Sequence, residues 1–388
     1  MTLKVAAAPS LSATEEAWER IRRLKPVIKA HCDECDQLRH LPDAIADAFL
    51  AADIYRLQVP QDLGGLGLDP LTLFELIEEV SSYDGSAGWN FGIGTSGGTV
   101  LGALSLKRIA EVFSGPHCSI AASGVPPGRA VVVDGGYLLS GRWAWASGIH
   151  HARWVAGSAL VIEGEKPRLD QAGKPAVRFF LLAKDKATVL DTWFAGGLRG
   201  TGSTEWEARD LFIPESDCYQ AFTGRSAHPA PVFKVPAVYF GMTIAAVALG
   251  IARGAIDALK EIAARGDSAF REHGYAQYAV AKAEALHESS HLNVMESFRV
   301  IWENILAQRA HSLSQRARVR RSYVHAVEAS IEAVTLCVAA AGGAGIFDPF
   351  QRALRDVHAV NAHKVVSRRY MEIAGQAAFG LPVVDPLM

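Results

Sequence analysis

The segment RDVHAVNAHK, residues 355–364, combines two histidines with no glutamate. Its pattern predicts a helix, in which His358 and His363 point about 140° away from each other. The two imidazoles therefore cannot serve one reacting centre, whereas Asp356 and His363 share a face of that helix. An ordinary imidazole has a pKa of about 6.5, so His363 or His358 is a candidate to accept or donate a proton. The alternative for either residue is simple packing in a core or an interface.

A second candidate segment, GRWAWASGIHHARW at residues 141–154, is rich in tryptophan. It predicts a strand broken at Ser147, where a flat apolar surface lies beside a hydroxyl and open backbone amides. Such a surface suits a planar heteroaromatic ring, although packing of the tryptophans beneath helices is the alternative. His150 and His151 are expected to face opposite sides of the strand, so they cannot both bind one metal ion.

Glycine-rich and hydroxyl-rich loops supply weaker signals. GIGTSG at residues 92–97 satisfies the glycine pattern of a dinucleotide-binding loop, but an amphipathic helix precedes it instead of a strand. Close helix packing therefore explains these glycines better, and we predict no nicotinamide nucleotide site. Further along, Thr201 and Ser203 are able to hydrogen-bond a ligand, with surface-turn chemistry as the alternative.

Bulk composition limits the classes of partner. The chain has 388 residues, of which 49% are hydrophobic and 21% charged, and its net charge of −2 provides no field to recruit nucleic acid or a membrane. The apolar run from Met242 to Ala252 is shorter than the roughly 20 residues of a membrane helix and predicts a buried core helix. The N-terminus has no sustained apolar run, so we expect no secretory signal and a cytoplasmic protein. The scattered cysteines indicate no metal site.

Hydrophobic spacing divides the chain into three parts. Apolar residues recur at helical spacing from about residue 12 to 115, and β-rich runs around a predicted Asp134-Gly135 hairpin turn occupy about 118 to 215. Amphipathic helix returns from about 235 to 380. We therefore predict an α+β protein with an N-terminal helical domain at 1–117, a central β domain at 118–226 and a C-terminal helical bundle at 227–388. A pocket between sheet and bundle is the favoured ligand site.

Four segments in this order resemble the acyl-CoA dehydrogenase fold over nearly the whole chain. They are YRLQVPQDLGGLGLDPLTLFELIEEVSSYDGSAGW, the Trp-x-Ser stretch that ends at Ser147, GLRGTGSTEWEARDLFIP, and GGAGIF followed by LRDVHA. The resemblance implies an N-terminal α domain, a central β-barrel-like domain and a C-terminal four-helix bundle. It also implies a homotetramer with flavin near the subunit contacts.

Three departures from the dehydrogenase pattern change the expected activity. The positions of the usual tyrosine and glutamate base fall on His363 and Lys364, and the other known place for that base falls near Tyr239 and Phe240. No carboxylate stands at either place, the segment that binds acyl-CoA is missing, and Ala339 replaces a glutamine that contacts FAD. These departures resemble the two-component, reduced-flavin-dependent monooxygenases of the 4-hydroxyphenylacetate hydroxylase, steroid phenol hydroxylase and dibenzothiophene monooxygenase type.

That resemblance implies the oxygenase component of a two-component system. Reduced FMN or FAD, diffusible and supplied by a separate flavin reductase, would react with O2 to give a C4a-hydroperoxide that hydroxylates a small aromatic substrate. By position, His363 would face the C4a side of the flavin, and Ser147 would lie near N5. The other implied cofactor contacts are Trp145, Arg265, Gly342 and Gly343.

Aromatic residues near the presumed pocket favour an aromatic substrate. They are Trp89, Phe91, Tyr239 and Phe240. Three alternatives remain open: an acyl-CoA dehydrogenase-like FAD oxidoreductase with a relocated base, an N-hydroxylating monooxygenase of the amino-sugar nitrososynthase type, and a non-catalytic binding protein of the same fold.

Overall fold

The computed structural model describes residues 12–221, 223, 225–265 and 268–385, with the backbone alone at 268–269. Within this part, helices, strands and helices follow one another in the predicted order, and the α+β class is confirmed. The prediction about a secretory signal rests partly on residues 1–11, which lie outside the described residues.

Local capping sets where the N-terminal helices begin. Ser12 caps the first helix through reciprocal hydrogen bonds with Glu15, and Asp69 caps the third helix, which opens with Pro70. Asp84 begins the fourth helix by accepting a hydrogen bond from a backbone N–H one turn later. The helices are α1 Ala13–Leu38, α2 Asp43–Ala51, α3 Pro70–Tyr83, α4 Gly85–Ser96 and α5 Leu106–Val112.

A mixed sheet forms the middle of the molecule. Its strands are β1 Ile120–Val133, β2 Gly136–Trp143, β3 Trp154–Glu163, β4 Lys166–Pro167, β5 Val177–Ala183, β6 Thr188–Val189, β7 Trp206–Pro214 and β8 Cys218–Tyr219. The order is β6-β7-β2-β1-β3-β5-β8, with β4 beside β3. The predicted hairpin joins β1 to β2 through Asp134 and Gly135, whose φ of +72° favours glycine. Trp143 and Trp206 stack in the sheet core with ring centroids 4.1 Å apart.

Long apolar helices make up the C-terminal part. They are α6 Tyr239–Arg265, α7 Ser268–Glu272, α8 Gly274–Leu306, α9 Leu313–Ala340, α10 Phe350–Asn361 and α11 Arg369–Ala378. Among the described residues, α6 and α9 are long and apolar enough to cross a membrane, and 78% and 56% of their apolar windows are buried inside the protein. The run from Met242 to Ala252 lies within α6 and is buried, as predicted for a core helix.

Helix α4 packs antiparallel to α6, and this sets the position of the site. A Cβ atom on Gly85, at the start of α4, would lie 3.0 Å from Ile251 in the middle of α6. A Cβ atom on Gly92, two turns further along α4, would lie 2.6 Å from Thr243 near the start of α6. Gly92, the first glycine of GIGTSG, therefore serves close helix packing, as predicted, whereas a Cβ atom on Gly94 would lie 2.6 Å from the Tyr55 ring.

Two elements end earlier than predicted. Helix α10 stops at Asn361, and His363 caps a separate 3-10 turn, Lys364–Val366. The expectation that His358 and His363 lie on one helix was therefore wrong, because the chain changes direction between them. Strand β2 likewise stops at Trp143, and turns instead of strand follow it.

Candidate active site

Ser147 belongs to a continuous chain of side-chain hydrogen bonds. Trp89 Nε1 donates to Ser147 Oγ at 2.9 Å, and Ser147 Oγ lies 2.6 Å from Ser203 Oγ. Ser203 Oγ lies 2.7 Å from Thr201 Oγ1, which donates to the Leu198 carbonyl oxygen at 2.8 Å. Ser147, Ser203 and Thr201 are all buried, so the surface-turn alternative for Thr201 and Ser203 was wrong.

Backbone contacts fix the two loops that carry these hydroxyls. Gly148 N donates to the carbonyl oxygen of Thr201 at 2.9 Å, and Leu198 N donates to the buried carboxylate of Asp356 at 2.6 Å. Burial raises the pKa of Asp356 well above its usual value, and the Leu198 N–H opposes that rise. Asp356 thus anchors the loop before Thr201, and the predicted shared face with His363 does not form.

His363 lies against Trp89 with ring centroids 5.6 Å apart and planes at 62°. Its Nδ1 accepts a hydrogen bond from Val365 N at 3.3 Å, so a neutral imidazole carries its proton on Nε2. Burial lowers the pKa of His363 to about 4. The ring is therefore neutral near pH 7 and offers Nε2–H as a donor. This corrects the expectation, based on an ordinary pKa, that His363 readily accepts a proton.

Trp145 differs from the other tryptophans of its segment because it is 61% exposed. Its backbone is left-handed, with φ +61°, a conformation that costs about 1–2 kcal/mol for a residue other than glycine. Trp145 is a predicted cofactor contact, and in a single chain its indole lies open at the surface. A strained, exposed ring beside Ser147 favours ligand binding over packing.

A small recess, partly open to solvent, is lined by Ser147, Gly148, Asn90 and neighbouring residues. Asn90 Oδ1 is buried without a hydrogen-bond partner among the described residues. The open indole of Trp145, the Ser147 hydroxyl and this amide oxygen fit a flat ring system that carries N–H donors, as a reduced flavin does. The side-chain chemistry present is therefore compatible with a flavin.

The four aromatic residues predicted to line a substrate pocket fall into three groups. Trp89 contacts Ser147. Phe91 and Tyr239 are fully buried, and the Tyr239 hydroxyl donates to a buried glutamine at 2.6 Å. Phe240 is partly buried, with its ring centroid 6.0 Å from that of Tyr239. In this chain Phe91 and Tyr239 are core residues, because the helices close over their rings.

Three predicted cofactor contacts lie away from Ser147 within one chain. Arg265 is the last residue of α6, and Trp89 packs near the opposite end of that helix, so about 30 Å separates them along its axis. Gly342 and Gly343 precede α10, whose length of about 18 Å lies between them and His363. Both glycines are open, and Arg265 is exposed and pairs with Glu261.

Four other histidines lie at the surface or pack against another ring. His358 and His117 are exposed. His150 stacks on His40 with ring centroids 4.6 Å apart, and His151 meets the same ring at 5.8 Å. The opposite-face argument for His150 and His151 was wrong, because they lie in a turn. Across the described residues, no three His, Cys, Asp or Glu side chains are placed to hold a metal ion.

Two short patterns typical of hydrolases also occur, and the sequence-based predictions overlooked them. GTSGG at residues 94–98 matches a serine-nucleophile elbow, but Ser96 is fully buried at the end of α4 and donates to a helix carbonyl. HESSH at residues 287–291 matches a zinc-protease helix, but both of its imidazoles hydrogen-bond the buried carboxylate of Glu78, at 3.0 and 2.8 Å. Both patterns serve packing here.

Two family models match this chain. Residues 15–105 match the acyl-CoA dehydrogenase N-terminal domain, and residues 242–368 match the acyl-CoA dehydrogenase C-terminal domain. The sequence of a helical, a sheet and a second helical part is the architecture of that fold. The class of protein is therefore an acyl-CoA dehydrogenase-like flavoprotein.

Curated relatives and solved structures narrow this class. The chain is 33% identical over 362 residues to indole-3-acetate monooxygenase from Pseudomonas putida, covering 91% of this chain and 90% of that protein. It is 31% identical to the flavin-dependent monooxygenase oxygenase subunit HsaA of Mycobacterium tuberculosis, covering 95% and 96%. The crystal structure of the HsaA monooxygenase from M. tuberculosis superposes with a TM-score of 0.88 at 29% identity, covering 97% of this chain and 100% of that one.

This chain belongs to the flavin-dependent monooxygenases of the acyl-CoA dehydrogenase fold. It is an enzyme, and the resemblance drawn from its sequence is confirmed.

Proposed function

We propose that the protein is an oxygenase component that takes reduced FMN or FAD from a separate flavin reductase and uses O2 to hydroxylate a small aromatic substrate. The observation that carries this proposal is the buried pair of Trp89 and Ser147 beside a neutral His363. An acyl-CoA dehydrogenase needs a carboxylate base, and its position falls on Lys364, directly after His363. Relatives named for indole-3-acetate and p-hydroxyphenylacetate support an aromatic substrate.

A bound reduced flavin would supply the electrons that activate O2. The residues of this chain then bind and orient the flavin ring and the substrate. Ser147 Oγ accepts a hydrogen bond from an N–H of the flavin ring, and the open indole of Trp145 packs on a face of that ring. His363 donates from Nε2 to an acceptor of the substrate. The buried tryptophan–serine contact keeps water from this side of the site, which favours substrate oxygenation over peroxide loss.

We also propose that the active form is a homotetramer in which a partner subunit completes the cofactor site. Arg265, Gly342 and Gly343 stand far from Ser147 within one chain, so they join a cofactor there only if another copy brings them. The exposed apolar side chains of Ile346 and Phe347 beside the glycine pair favour burial against another copy. Size-exclusion chromatography with light scattering tests this, and a monomer with full activity would contradict it.

A cytoplasmic location is part of the same proposal. Cys32, Cys35, Cys118, Cys218 and Cys337 are all free thiols, which suits a reducing compartment. Fractionation of cells that produce the protein tests the location.

The proposed activity is tested by mixing the protein with reduced FMN or reduced FAD without oxygen, then adding oxygen with indole-3-acetate, p-hydroxyphenylacetate or simple phenols. We expect tight binding of at least one reduced flavin and more hydroxylated product than hydrogen peroxide with one substrate of this set. Protein that purifies with stoichiometric FAD and is bleached by an acyl-CoA would contradict the proposal.

A further inference from the structure

The hydroxyl chain that ends at Ser147 allows one direction of hydrogen bonding. The Leu198 carbonyl oxygen can only accept, so Thr201 donates its single hydroxyl proton to it across 2.8 Å. Ser203 must then donate to Thr201 across 2.7 Å, and Ser147 must donate to Ser203 across 2.6 Å. Trp89 Nε1 can only donate, and it occupies one lone pair of Ser147. Ser147 Oγ is therefore left with one free lone pair and no free proton.

Burial protects this direction from exchange with water. Thr201, Ser203 and Ser147 are 1%, 6% and 8% exposed. Reversing the direction of these hydrogen bonds would leave a buried donor or acceptor without a partner, which is disfavoured in a low-dielectric interior. The direction begins at Leu198, whose own N–H is held by Asp356 at 2.6 Å. The backbone of a neighbouring loop thus determines that Ser147 Oγ acts as a hydrogen-bond acceptor.

We propose that Thr201 and Ser203 are positioning residues that hold Ser147 as a hydrogen-bond acceptor and thereby make the site select reduced over oxidised flavin. The inference rests on the proposed function, in which Ser147 meets N5 of the ring. N5 of a reduced flavin carries a hydrogen and donates, whereas N5 of an oxidised flavin has only a lone pair. An acceptor-only Ser147 pairs with the first and repels the second.

This selection matches the needs of a shared, diffusible cofactor. The oxygenase binds the ring while N5 carries hydrogen and loses its contact at Ser147 once the ring is oxidised. Oxidised flavin then leaves for the reductase. The hydroxyl chain thereby couples the redox state of the ring to its residence on the protein.

The test measures the ratio of dissociation constants for oxidised and reduced flavin, using whichever of FMN or FAD binds the native protein more tightly when reduced. Thr201→Val and Ser203→Ala each free the proton of Ser147, so we expect the ratio to fall about threefold to tenfold, the effect of one hydrogen bond. Thr192→Val is the matched control, because Thr192 Oγ1 pairs with Thr204 Oγ1 at 3.1 Å and takes no part in the row of hydroxyl hydrogen bonds that ends at Ser147. The control should keep the native ratio.

Two different results would contradict the inference, and they can be told apart. A native protein that binds neither reduced flavin contradicts both the proposed function and this inference. A native protein that binds reduced flavin, with folded Thr201→Val and Ser203→Ala variants that keep the native ratio, contradicts the inference alone.

A measurement on the native protein avoids any dependence on folding of the variants. Oxidised 5-deaza-FMN replaces the N5 lone pair by a C–H group, which does not repel an acceptor. We therefore expect it to bind several-fold more tightly than oxidised FMN. Equal or weaker binding of oxidised 5-deaza-FMN would overturn the proposal.

Discussion

His363 and His291 are both partly shielded from water, yet their pKa values move in opposite directions. His291 Nδ1 lies 2.8 Å from a carboxylate oxygen of Glu78, and this partner raises its pKa. His363 has an aromatic ring and a backbone N–H as its neighbours, and burial lowers its pKa to about 4. The first environment stabilises a charged imidazole, and the second stabilises a neutral one.

This difference separates a structural site from a binding site. Glu78 is 3% exposed and lies between α3 and α8, where His287, His291 and Arg253 neutralise it. Burial alone would raise the pKa of Glu78, but its histidine partners lower it to about 2. Every charge in this cluster has a partner within the protein. At His363 and Ser147, by contrast, Nε2–H and a lone pair remain available for a ligand.

The largest expected effect comes from breaking the Glu78 cluster. Glu78→Ala leaves His287, His291 and Arg253 without their buried carboxylate, so we expect the free energy of unfolding to fall by about 3–5 kcal/mol. Glu165→Gln, at an exposed position in the turn between β3 and β4, is the control, with a change within about 0.5 kcal/mol. Urea unfolding measures both. A Glu78→Ala protein as stable as the native one would erase the contrast with His363.

Removal of the neutral imidazole should act on turnover instead. His363→Ala deletes one hydrogen-bond donor and leaves the substrate acceptor unpaired in a shielded site, so we expect product formation with supplied reduced flavin to fall about 10- to 100-fold. His358→Ala, an exposed histidine of the preceding helix, should leave the rate unchanged. A loss well above 10³-fold for His363→Ala would point to true acid–base catalysis, and no loss would remove His363 from the site.

His363 and His291 should affect the free energy of unfolding in different pH ranges. The folded-state pKa of His363 is below its unfolded value of about 6.5, so its contribution is complete above pH 6.5 and is lost as pH falls through about 4. His291 has a raised pKa, so its contribution is complete below about pH 6.5 and is lost as pH rises through its folded value.

Thermal unfolding at several pH values measures these contributions. Glu75 and Glu79 on α3, Arg253 on α6 and Glu288 on α8 also carry charge around the Glu78 cluster. Because the two imidazoles contribute at opposite ends of the pH range, His363→Gln should reduce the pH dependence of the unfolding temperature below about pH 6.5. His291→Gln should reduce it above that pH. Identical curves for the two variants would contradict the assignment.

The smallest expected effect concerns backbone strain at Trp145. Trp145→Gly relieves the left-handed conformation, so we expect the free energy of unfolding to rise by about 1 kcal/mol while affinity for reduced flavin falls. Chemical unfolding and a flavin titration on the same sample measure the two changes. A variant that gains stability and keeps its flavin affinity would show that the indole has no binding role.

Much of the fold follows from local signals in the sequence. The Asp134-Gly135 turn and the capping residues Ser12 and Asp69 act over a few residues, so spacing and residue type predict them. The end of α10 at Asn361 was missed because neither glycine nor proline marks it. The turn at His363 is instead fixed by packing against Trp89 from a distant part of the chain.

The site itself depends on contacts that sequence spacing does not reveal. Ser147 and His363 were found through a resemblance, but the bonds of Ser147 to Trp89 and Ser203 join residues far apart in sequence. The direction of helices is equally hidden, which is why Arg265 was grouped with residues about 30 Å away along α6. The hydroxyls of the Thr-Gly-Ser loop were the one sequence signal for Thr201 and Ser203, and their burial became visible only in the structure.

The central claim is that Ser147, beside Trp89 and His363, holds a reduced flavin while O2 is used on a substrate. The most direct test compares hydroxylated product with hydrogen peroxide per reduced flavin oxidised, in the native protein and in Ser147→Ala. We predict that the native protein forms mainly product and that Ser147→Ala forms mainly peroxide. Equal ratios in the two proteins would contradict the claim.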